Sequence, residues 1–200
     1  MCAYHFRVAG VLLLLLAPAA FGDEAKDALI IETILRLDDF DLGSSEKAQG
    51  AVARYLKVNW AGDRYLDLIR RFELKKEAAG VLRLALEKAD APIGAEAASI
   101  LVGLGGSDLF VKALKGEDGK VASRAAKAIS LTGDPNLLAE LPRVLADQSR
   151  PAVVRSAALK AIYDPTPGKH PELLAMVKAG ELADDLKQTA SDLLMLSRDP

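Results

Sequence analysis

Cysteine is almost missing from this chain, which holds one in 200 residues, Cys2, beside two histidines, His5 and His170. Aromatic residues make up only 5% of it. Neither charge dominates, with 26 basic against 28 acidic side chains. Each shortage excludes something. A single cysteine forms no internal disulfide and no zinc site of paired thiolates. The near-balance of charge excludes the strongly basic footprint of a nucleic-acid-binding domain. Glycine-rich phosphate loops and the Gly-x-Ser-x-Gly elbow of serine hydrolases are absent from the sequence. No acid–base pair of catalytic type stands out, so the expectation is a protein that is not an enzyme, with no cofactor and no metal.

The longest apolar run lies at the N-terminus. Val8 to Ala17 is centred on five leucines, Leu12 to Leu16, behind the single basic residue Arg7. Pro18 breaks the run, and Ala20-Phe21-Gly22 offers a small-x-small cleavage site. A membrane anchor needs about 20 apolar residues, so residues 1–22 read as a secretory signal peptide. The expected mature chain, 23–200, is exported to the periplasm or outside the cell. It carries no cysteine, keeps only His170, and has a net charge of −3. Its partner is then expected to be a protein, neither a nucleic acid nor, after cleavage, a membrane.

Helix formers fill the rest. The pattern predicts eleven helices, at 24–37, 45–58, 63–72, 75–89, 92–103, 107–115, 119–131, 136–146, 151–163, 171–179 and 182–197. Gly-Ser, Gly-Asp and Asp-Pro steps punctuate them. Pro142 falls inside one and should kink or split it. Five helices share an apolar template at i, i+4, i+7 and i+8: Ala48-Val52-Tyr55-Leu56, Ile93-Ala97-Ile100-Leu101, Val121-Ala125-Ala128-Ile129, Val154-Ala158-Ala161-Ile162 and Leu186-Ala190-Leu193-Leu194. The last four begin 28, 33 and 32 residues apart, which suits a helical hairpin repeated along the chain. The stretches 121–129 and 154–162 agree at six of nine positions.

Val154-Arg155-Ser156-Ala157-Ala158-Leu159-Lys160-Ala161-Ile162 resembles the second helix of HEAT-type repeats, which often reads Val-Arg-x-x-Ala-x-x-Ala-Leu. The family's arginine is present as Arg155, becomes Lys187 in the last copy, and is absent at Gly94 and Ala122. The resemblance covers 75–197 well and 24–72 loosely. It implies an all-α fold, a right-handed α-solenoid of about five hairpins over 23–200, and a scaffold that binds a protein partner. Leu37 to Leu42, Ala51 to Leu56 and Arg71 to Leu74 look like the helical repeats of exported bacterial proteins that carry a c-type haem domain. That likeness implies an alternative: a fragment or accessory module of a c-type cytochrome or dehydrogenase in electron transfer, with the haem domain missing. Haem attachment needs Cys-x-x-Cys-His, which the sequence lacks.

The candidate partner-binding residues are Arg124, Lys127, Arg155, Lys160 and Lys187, which recur on the second helices of the hairpins. They form either a basic ridge on the concave face that docks an acidic partner, or side chains that pair with acidic residues of neighbouring repeats or lie in solvent, and the second is favoured. Trp60 and Tyr163 are weighed as partner anchors or as parts of loop clusters. Asp38, Asp39 and Asp41 are weighed as calcium ligands or as a solvated loop. His170 reads as an ordinary polar residue. Leu193, Leu194 and Leu196 are expected to lie uncovered on the last helix, which suggests a truncated product or a docking end.

Overall fold

The computed structural model describes residues 23–163, 175, 177–179 and 182–196. The expected signal peptide, His170 and most of the helix expected at 171–179 lie outside them. Among the described residues the chain is all-helical, with no strand. The helices are α1 (Asp23–Arg36), α2 (Glu46–Val58), α3 (Tyr65–Arg71), α4 (Ala78–Glu87), α5 (Pro92–Gly103) and α6 (Ser107–Lys115). Then come α7 (Gly119–Ser130), α8 (Pro135–Leu138), α9 (Glu140–Ala146), α10 (Ala152–Ile162) and α11 (Asp184–Leu196). The chain divides into two compact units, Met1–Leu74 and Lys75–Pro200.

In the first unit α1 packs on α2. Ile30, Ile31 and Ile34 of α1, Ala48, Ala51, Val52 and Leu56 of α2, and Tyr65, Leu68 and Ile69 of α3 are buried. Ser45 opens α2 as an N-cap, its side chain accepting from the backbone N–H of Ala48. Asp27 is buried on α1 and accepts a two-pronged hydrogen bond from Arg54, Nε to Oδ2 at 2.8 Å and Nη2 to Oδ1 at 2.7 Å. That fork ties α1 to α2.

In the second unit the helices pack in chain order. α4 pairs with α5, α6 with α7, and α9 with α10; α7 also packs on α10, and α10 on α11. The first helices of these pairs bury residues on one side, Val81 and Ala85 on α4, Phe110 and Leu114 at the matching positions of α6, and Leu141 and Val144 on α9. The second helices bury most of the shared template: Ala97, Ile100 and Leu101; Ala125, Ala128 and Ile129; Val154 and Ala158; Leu186, Ala190, Leu193 and Leu194. The alanines let backbones approach closely.

Local chemistry sets the boundaries. Asp118 caps α7 by accepting from Lys120 and Val121 N–H at 2.8 and 3.1 Å, and Asp134 caps α8 through Asn136 and Leu137. α5 ends in a Schellman turn. Gly105 sits at φ +79°, Gly106 N–H donates to Leu101 O and Gly105 N–H to Val102 O, each at 2.9 Å. The axis bends by 116° between α5 and α6 there. The helix expected at 75–89 begins instead with a 3-10 turn, Lys75–Glu77, because no side chain caps α4 and the first turn tightens. The helix expected at 136–146 is split into α8 and α9. The break falls at Leu138–Ala139, where the ring of Pro142 would meet the carbonyl of residue i−4.

One expectation is corrected. Leu193 and Leu194 are not uncovered: both are buried, and Leu193 joins Leu159, Leu182, Leu186 and Ala190, with Leu145, Tyr163 and Val177 packed against the cluster. α10 supplies the cover through Leu159. Leu196 is exposed as expected, and Met195 with it.

Candidate functional site

The five basic residues singled out in the sequence occupy unlike environments. Arg155 on α10 is buried; its Nε donates to Leu145 O at 3.1 Å and its Nη1 reaches Asp185 Oδ2 of α11 at 2.7 Å. Lys127 on α7 pairs with Asp90, and Lys187 on α11 with Asp184. Arg124 and Lys160 are exposed and make no ion pair with another described residue. The structure therefore brings Arg155 into the fold and leaves only Arg124 and Lys160 as exposed, unpaired cations of the set. Arg155 cannot meet a partner without uncoupling α9, α10 and α11.

Its chemistry recurs at two places that carry no local sequence signal. Arg150 donates from Nη1 to Lys115 O at 3.0 Å, and from Nη2 to Leu114 O at 2.8 Å and Gly116 O at 2.9 Å. Those carbonyls form the open C-terminal end of α6. Arg71 reaches Leu37 O and Asp38 O just past the end of α1, and its guanidinium lies 5.8 Å from the Phe72 ring centroid. A helix leaves its last carbonyls without intrahelical partners, at the negative end of its dipole. A guanidinium carries several donors in one plane and satisfies two or three at once. Arg71, Arg150 and Arg155 each clamp the end of an earlier helix, for α1, α6 and α9 in turn.

Glu140 ties α9 to α6. Its side chain is only 12% exposed, with Oε2 2.7 Å from Lys115 Nζ, and it also pairs with Arg143. The hydrogen bond from Lys115 is the main cause that holds its carboxyl below the ordinary glutamate value; burial opposes it, and the charges of Lys115 and Arg143 reinforce it. A carboxyl lowered on folding stabilises the fold fully above its unfolded pKa and loses that contribution as pH falls through the folded value. Glu140→Gln is expected to cost about 1 kcal/mol at pH 7. The gap from wild type should close as the pH is taken below about 4. Urea titrations between pH 3 and 7 check this, and a gap independent of pH would exclude the ionic role.

The remaining candidates resolve into local structure. Asp41 caps the 3-10 turn Leu42–Ser44 by accepting from Gly43 N–H at 2.8 Å. Among the described residues, no three histidine, cysteine or carboxylate side chains gather where they could hold a metal ion. Trp60 and Tyr163 are both half-buried, with Trp60 Nε1 and the Tyr163 hydroxyl inside the fold, and Tyr163 packs on the Leu159 cluster. No single described helix is long and apolar enough to cross a membrane.

No family model, curated protein or solved structure matches this chain.

Proposed function

We propose that this protein is an exported, non-catalytic scaffold: a right-handed α-solenoid of HEAT-like hairpins whose second-helix face holds a protein partner. The observation that carries this reading is that the same serine position on successive second helices meets the next one. Ser123 on α7 lies 3.2 Å from Val153 O of α10, and Ser156, at the matching position of α10, accepts from Thr189 of α11 at 3.2 Å. One side-chain position thus serves successive junctions, as a stack of nearest-neighbour units requires. Exposed Arg124 and Lys160 leave the second-helix side with cations available to an acidic partner.

Two experiments test the proposal. The chain 1–200, expressed in a bacterium with its export machinery intact, is expected to appear in the osmotic-shock fraction with Asp23 as its first residue by intact mass. Full-length product retained inside the cell would overturn the exported reading. A photo-crosslinking amino acid at position 124 or 160 is then expected to give a discrete adduct with one protein in that compartment. The same label at Lys112, exposed on the first helix α6 of the second unit, should give none. Equal labelling from both positions would overturn the assignment of the face.

A further inference from the structure

We draw no further inference here: the strongest candidate, the row of exposed basic side chains Arg83, Lys112 and Arg143 at matching positions of α4, α6 and α9, has a carboxylate one helical turn away at each place (Glu87, Asp108 and Glu140), and nothing in the structure shows what would cover it.

Discussion

Gly94→Ala is expected to destabilise the second unit by about 3 kcal/mol or more. Glycine inside a helix normally costs about 1 kcal/mol relative to alanine, so the substitution would ordinarily help. Here α5 turns so tightly against the end of α4 that a Cβ at position 94 would lie 1.9 Å from Lys88 O, 2.3 Å from its carbonyl carbon and 2.9 Å from Ala89 N. All three are backbone atoms and cannot rotate away. The turn that places them is hydrogen-bonded, Ala91 N–H to Lys88 O at 2.8 Å and Gly94 N–H to Ala91 O at 2.9 Å. Relief requires α4 and α5 to separate. Gly103, in the same helix, is the control: a Cβ there meets nothing within 4 Å, and Gly103→Ala should stabilise by up to about 1 kcal/mol. Urea unfolding followed by circular dichroism reads both. Changes of the same sign would mean that the close approach of α4 and α5 is wrong.

Arg155→Ala should cost about 2 to 4 kcal/mol. The loss has three parts: the Leu145 carbonyl at the end of α9 loses its donor, Asp185 loses its partner, and the buried stem leaves a void. Asp185 keeps some contact with solvent, its side chain being 29% exposed, which holds the cost below that of a fully buried orphan charge. Arg155→Met retains much of the stem and removes the donors, so the difference between the two variants isolates packing from charge. A cycle with Asp185→Asn should show coupling of more than about 1 kcal/mol. Lys160→Ala, on the exposed side of the same helix, is expected to change stability by less than about 0.5 kcal/mol. If Arg155→Ala behaved like Lys160→Ala, Arg155 would have to be an exposed surface residue, contrary to its place between α9 and α11.

The contrast between these two cations shows how far the sequence could be read. Periodicity and punctuation were enough to locate most helices: α5 and α6 fall where the apolar template and the Gly-Gly-Ser-Asp break put them, and Ser45 caps as its chemistry suggests. Pro142 told that a helix would break, and its missing N–H and bulky ring explain why the break lies one turn earlier, at Ala139. Arg155 was legible only as a recurring residue, because the template gives its position on α10 and not the carbonyl and carboxylate that meet it from α9 and α11. Arg71 and Arg150 carried no signal at all, since their acceptors lie more than 30 residues away and are backbone groups with no residue identity. Gly94 did carry a signal, a glycine inside a helix, but the reason for it is a neighbouring backbone that sequence spacing does not reveal. The covered state of Leu193 was missed for the same reason: whether an apolar stripe is buried depends on which helix lies against it.

The most direct measurement of the stacked-hairpin proposal uses Ser99, Lys127, Lys160 and Asp192, which occupy the same template position on α5, α7, α10 and α11 and are all exposed. The chain from 23 onward has no cysteine, so pairs of introduced cysteines take spin labels cleanly. Neighbouring packed helices lie about 8–10 Å apart. An open stack requires the 99–192 separation, three helices along, to be about 25–30 Å, and the 127–192 separation about 16–20 Å. Pulsed electron–electron resonance that finds this ordered increase supports the solenoid. A 99–192 distance no longer than the 127–192 distance would show a bundle closed on itself, with no continuous second-helix face for a partner to occupy.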